Sequence, residues 1–224
     1  MAKSIDSVYV YLFPGQGSDE RIFEEIKLEP HYRIINVVYP VPEANTSLKD
    51  FALQIGKQVD TSRRYIFIGV SLGGMISSEL AEMMKPEKVI IISSAKCRDE
   101  LPLRYKFQKK IPVYKLVPKA MIKMGAQILQ PIVEPDRKKN KDTFKSMLGK
   151  KDKLYLKRTV GMIINWEKKT YNNKIIHIHG TNDHTLPYRK VKANYKVNKG
   201  SHMMTLTKGQ EINLLINKIL QNEI

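Results

Sequence analysis

Six short apolar runs punctuate the chain: "SVYVYLF" (7–13), "RIINVVYP" (33–40), "RYIFIGVS" (64–71), "KVIIISS" (88–94), "KIIHIHG" (174–180) and "ANYKV" (193–197). They are β-branched and continuous rather than strictly alternating, the pattern of strands buried on both faces. Helical patterns separate most of them. "DERIFEEIKL" follows the first run, and "SLKDFALQIGKQV" follows the second with Leu48, Phe51, Ala52, Ile55 and Val59 on one face. "GGMISSELAEMM" follows the third and stops at Pro86, and "GQEINLLINKIL" closes the chain. Strand and helix in alternation predict an α/β fold: a mostly parallel six-stranded sheet with helices on both faces.

Between the fourth and fifth runs the alternation breaks. Residues 97–170 hold no convincing strand and three amphipathic pieces. One carries Val113, Leu116, Val117, Ala120, Met121, Met124 and Ile128 at helical spacing, one is "DTFKSMLG", and one is "DKLYLKRTVGMIINWEKK" with Asp152 as its N-cap. The expectation is a single domain over 1–224 with a helical cap inserted at about 97–170, at the sheet edge where loops carry function.

Composition bounds the function classes. The 224 residues carry 39 Lys/Arg against 22 Asp/Glu, a net charge of +17, and 18 of those bases against 6 acids fall between Cys97 and Arg158. Such a surplus is either a solvated lysine-rich surface, the commoner case, or an attraction for anionic substrates, lipid head groups or nucleic acid. No aromatic-interleaved basic motif of a nucleic-acid module is present, so no nucleic acid is expected. The single cysteine, Cys97, forbids an intrachain disulfide. No run approaches a membrane span or a signal-peptide core, and a cytoplasmic protein is expected.

Two glycine-framed turns carry the chemistry. "FPGQGS" ends the first strand in Gly-x-Gly, which offers backbone N–H groups to negative charge. Glu20 stands where a dinucleotide fingerprint needs its third glycine, and no lysine follows Gly17 as a P-loop requires. An oxyanion loop is the remaining reading. The third strand runs into "GVSLGG", a G-x-S-x-G with Gly69, Ser71 and Gly73. Strand before and helix after are the context in which such a serine is presented as a nucleophile.

A serine nucleophile needs a base, and the base an orienting carboxylate. Of five histidines, His202 in "NKGSHMM" follows the last strand and can reach Ser71 across the sheet's C-terminal edge. His31 reads as a surface residue, and His184 is assigned no role. His177 and His179 share a strand face, where satisfied or half-buried histidines are commoner than a metal pair. Asp183, in the turn-rich "HGTNDHTLP", is the preferred acid, with Asp99 beyond the fourth strand as its competitor.

On "LFPGQG", "GVSLGG", "HGTNDHTLP" and "GSH", and on the order Ser71, Asp183, His202, the chain resembles a compact, bacterial-type member of the α/β-hydrolase superfamily. The resemblance implies an oxyanion hole built from the N–H of Leu72 and one from the loop after the first strand, best matched by Gln16. It implies cleavage of a small-molecule carboxylic ester or thioester with no metal or cofactor, and the charge of the basic cap suits an anionic substrate. "FPGQGS" also opens malonyl-transferase domains, but their elbow differs from one with Val70 and Gly74, and Arg98 stands only loosely where their substrate arginine does. A non-catalytic hydrolase-fold protein holding an anionic partner on its basic cap is the third alternative.

Overall fold

The computed structural model describes residues 7–112, 116, 118 and 140–221. Six strands form one sheet in the order β2-β1-β3-β4-β5-β6: β1 Val8–Phe13, β2 Tyr32–Asn36, β3 Tyr65–Val70, β4 Lys88–Ile92, β5 Ile175–Gly180 and β6 Tyr195–Val197. Every adjacent pair is parallel, so "mostly parallel" becomes entirely parallel. The chain steps outward from β1 to β2, then returns to the other side of β1 and continues to β6. That reversal, between β1 and β3, is where open α/β sheets place their ligands, at the C-terminal ends of the strands.

Alternation along the strands divides the core between two faces. Tyr11, Phe13, Phe67 and Ile91 pack with α1 (Leu48–Gly56) and α2 (Leu72–Met84). Val10, Leu12, Ile68, Ile90 and Ile178 pack on the other face, with Ile212, Ile216 and Ile219 of the C-terminal helix Gly209–Gln221. The second run is the exception to the buried-strand reading. β2 is an edge strand whose Arg33 and Ile34 are exposed, and it stops at Asn36, the last residue with a partner on β1.

The predicted helix after β1 shrinks to a 3₁₀ turn over Glu20–Phe23. Ile22, Phe23 and Ile26 are already buried by this turn, and continuing would place Glu24 and Glu25 at the negative end of a helix dipole. Between β4 and β5 lie α3 (Leu103–Lys110), α4 (Lys141–Lys150) and α5 (Lys153–Ile164). Asp152 caps α5 as its sequence announces, its carboxylate accepting from the N–H groups of Leu154 (2.7 Å) and Tyr155 (2.9 Å). The helical piece expected over 113–128 lies, all but Leu116 and Pro118, outside the described residues. After β6 come a short α6 (Met204–Thr207) and α7 (Gly209–Gln221). Among the described residues no helix is long and apolar enough to cross a membrane.

Long-range polar bonds anchor the β4–β5 connection. Buried Trp166 donates its indole N–H to Glu79 of α2 at 2.6 Å. Arg98 spends its guanidinium on the carbonyls of Ile164 and Trp166, so it is committed to the fold rather than to a substrate carboxylate.

The sharp β3–α2 turn depends on absent side chains. A Cβ on Gly73 would lie 2.0 Å from the Phe13 carbonyl oxygen, and one on Gly69 would lie 2.5 Å from that of Gly73. Gly73→Ala is therefore expected to cost about 3 kcal/mol, the upper range for overpacking, lowering Tm by roughly 6–12 °C. Gly149→Ala, on α4 with nothing within 4 Å of the added carbon, is the control and is expected to be neutral or stabilising. Thermal unfolding of the two variants checks both.

Candidate active site

Ser71 joins β3 to α2 at φ 52° and ψ −117°, a conformation costing a non-glycine residue about 1–3 kcal/mol. Its backbone is held from several sides. Its N–H donates to Ile92 O of β4 (3.0 Å), and its carbonyl accepts from the N–H of Gly74 (3.0 Å) and the hydroxyl of Ser94 (2.6 Å). The side chain is thus turned out at the C-terminal edge of the sheet. Nothing in "IISSAK" marks Ser94 for this task.

β5 and β6 bring Asp183 and His202 to the same edge. Their following loops are laced together by Thr181 N–H to Val197 O (3.0 Å) and Asn182 N–H to Gly200 O (2.9 Å). From these loops His202 reaches Ser71: its Nε2 lies 3.0 Å from Ser71 Oγ, and its Nδ1 2.8 Å from Asp183 Oδ2. An ionised carboxylate only accepts, so Nδ1 carries the proton and Nε2 accepts from the serine hydroxyl. Asp183 Oδ1 accepts from Leu186 N–H at 2.7 Å. Burial pushes the Asp183 carboxyl up, but His202, His179 and the Leu186 N–H together outweigh it and hold the group below its ordinary value. Arg104 of α3 donates to the carbonyls of His184 and Thr185, fastening this loop from outside. Asp99, the competing acid, is an exposed residue 3.7 Å from Lys106 and does not meet His202.

The loop after β1 lies against the elbow: a Cβ on Gly15 would stand 3.5 Å from Ser71 Cβ. It is tied in place by Tyr39 hydroxyl to Pro14 O (3.1 Å) and Gly15 N–H to Ser18 Oγ (2.8 Å). The Gln16 side chain donates to Leu156 O (3.0 Å) and Thr159 Oγ1 (2.7 Å) of α5. Sequence reasoning singled out Gln16 for its backbone and missed this anchoring by its side chain. Among the described residues, the backbone N–H groups of Gln16 and Leu72 donate to no protein acceptor.

The other histidines separate cleanly. His31 is half-buried, tilted against the Tyr32 ring and 3.6 Å from Glu29, and His184 lies 3.1 Å from Asn182 Oδ1. His177 and His179 are not half-buried but fully enclosed, and they bond to each other, Nε2 to Nδ1 at 2.9 Å. Burial lowers both pKa values, and mutual repulsion adds to it for His177. Both therefore hold a proton less readily in the folded chain than in the unfolded one, where imidazoles protonate near 6.5. Stability is therefore complete above that value and is lost as pH falls below it. The folded chain is expected to be less stable at pH 5.5 than at pH 7.5. Urea unfolding at the two pH values measures this, and His177→Leu is expected to halve the difference; an unchanged difference would mean the pair is solvated.

No family model matches the chain, and no curated protein is similar to it in sequence. Its structure is similar to several solved ones. An esterase from Thermogutta terrifontis superposes with a TM-score of 0.74 at 12% identity, covering 96% of this chain and 90% of that one. The esterase EaEST from Exiguobacterium antarcticum gives 0.70 at 15% identity, covering 97% and 93%. The enol-lactonase from Burkholderia xenovorans gives 0.71 at 13% identity, covering 96% and 92%. Near-complete coverage in both directions, on a six-stranded parallel sheet with a serine elbow after β3, establishes that this chain has the α/β-hydrolase fold.

Proposed function

We infer that the chain is a serine hydrolase that cleaves a carboxylic ester or thioester through an acyl-enzyme. The observation that carries this reading is His202, which bridges Ser71 Oγ at 3.0 Å and Asp183 Oδ2 at 2.8 Å. In the first half-reaction Nε2 of His202 takes the serine proton as Oγ attacks the substrate carbonyl. Asp183 stays ionised, holds the useful tautomer and stabilises the imidazolium. Protonated His202 then donates to the departing alcohol or thiol. Water, deprotonated by the same nitrogen, releases the acid and restores Ser71.

The tetrahedral intermediate carries its charge on the former carbonyl oxygen. The N–H groups of Leu72, at the start of α2, and Gln16 are the donors assigned to it. One such donor contributes roughly 10²–10³ in turnover in a comparable enzyme. A donor is most effective when it does not have to reorganise, and the bonds from Gln16 Nε2 to α5 hold this one in place. A lactone is a cyclic ester, so the enol-lactonase and the two esterases of the same fold point to one bond class.

Intact mass after incubation with a fluorophosphonate tests the reading. One adduct is expected on the wild-type chain and none on Ser71→Ala. A folded wild-type chain that takes up no adduct would overturn it.

A further inference from the structure

We propose that His179 is a positioning residue for the triad acid, with its tautomer set by the Leu186 carbonyl and matched by a donor from His177. This rests on the reading of Asp183 as that acid. The Leu186 carbonyl can only accept, and His179 Nε2 lies 2.7 Å from it, so Nε2 carries the proton. Nδ1 of His179 is then a lone pair, and it accepts from His177 Nε2–H at 2.9 Å. His177 Nδ1 is left as a buried acceptor with no partner among the described residues. A buried acceptor is unfavourable unless something is gained by it, and here both histidines are turned the way that presents one N–H to the Asp183 turn.

That N–H does two things. It closes the turn, since Leu186 accepts through its carbonyl from His179 and donates through its N–H to Asp183 Oδ1. It also faces Asp183 Oδ2 at 3.4 Å, on the oxygen that holds His202. A neutral donor there supports the carboxylate without competing for its ion pair. The other charged or titratable groups facing this cluster are Lys96 behind His177, Tyr188 beside the His179 ring, Tyr105 near Asp183, and Arg104 across the turn. Among the described residues the hydrogen-bond partners of the Asp183 carboxylate are the Leu186 N–H and His202.

The test compares His179→Phe, which removes the donor, with His179→Gln, whose amide nitrogen stands near the place of Nε2. Hydrolysis of 4-nitrophenyl acetate is expected to fall about 10- to 100-fold in kcat for the Phe variant, by analogy with the range found when partners that orient metal-ligating side chains are removed. KM should be nearly unchanged, and the Gln variant should recover most of the loss. The deciding readout is independent of turnover: the carboxyl-carbon NMR resonance of Asp183, titrated in a Ser71→Ala background. Its midpoint is expected to move up in the Phe variant and to stay in place in the Gln variant. If the midpoints of both variants match the wild type, or both move alike, His179 is packing only and the proposal is overturned. Should His179→Phe fail to fold by circular dichroism, His179→Asn replaces it, since its amide reaches His177 but not Leu186. Failure of fluorophosphonate labelling would sink the hydrolase reading without touching this titration.

Discussion

Ser71→Ala is expected to lower turnover of 4-nitrophenyl acetate by about 10⁶-fold, with no fluorophosphonate adduct and thermal unfolding close to wild type. The size follows from what the hydroxyl does in the proposed mechanism: it is the attacking atom, and nothing beside it can take its place. The small effect on folding follows from what it touches. The backbone bonds to Ile92, Gly74 and Ser94 belong to the main chain of Ser71, and an alanine keeps them. Alanine also inherits the positive φ of 52° at a cost similar to serine's. His202→Ala is expected to match Ser71→Ala, and the double variant to fall no further, because the two groups act as one unit. A single variant that retained a tenth of the wild-type rate would sink the assignment.

The sequence disclosed most where one residue type had one physical use. The strained elbow needs glycines at 69 and 73 and a small polar residue between them, so "GVSLGG" reads directly as geometry. The four central strands read equally well, because burial on both faces demands continuous β-branched residues. β2 misled because an edge strand can be as apolar as a central one while facing solvent. The helix after β1 misled because its apolar spacing was satisfied by a single turn. Side-chain partners across the fold left no trace in the sequence. Gln16 reaches Thr159 over 143 residues, and Trp166 reaches Glu79 over 87. His177 and His179 could be placed on one face by their spacing. Their mutual bond, and its continuation to the Asp183 turn, depends on how that turn folds back over β5.

Asp183→Asn is expected to reduce kcat by about 10⁴-fold at neutral pH, the loss found for the same change in a comparable triad. The side chain changes by one atom, and the surrounding bonds dictate where that atom goes. Leu186 N–H needs an acceptor at the Oδ1 position, 2.7 Å away, so the amide oxygen is held there. The amide NH₂ must then occupy the place of Oδ2. It faces His202 Nδ1 at 2.8 Å and the His179 N–H at 3.4 Å. The second contact sets donor against donor. The first forces His202 to accept at Nδ1 and to carry its proton on Nε2, pointing an N–H at Ser71 where a lone pair is needed. The imidazolium also loses the charge that stabilises it. Because the Asp183 carboxyl is held below its ordinary value of 3.8, the stability it contributes is present above that pH and is lost as pH falls through the folded value. The Asn variant should lack that acid-side dependence. Asp99→Asn is the control, and with its side chain 81% exposed it is expected to leave turnover unchanged. Kinetics of the two variants at pH 7.5 decide the matter: equal losses, or an Asp183→Asn variant within tenfold of wild type, would remove Asp183 from the mechanism.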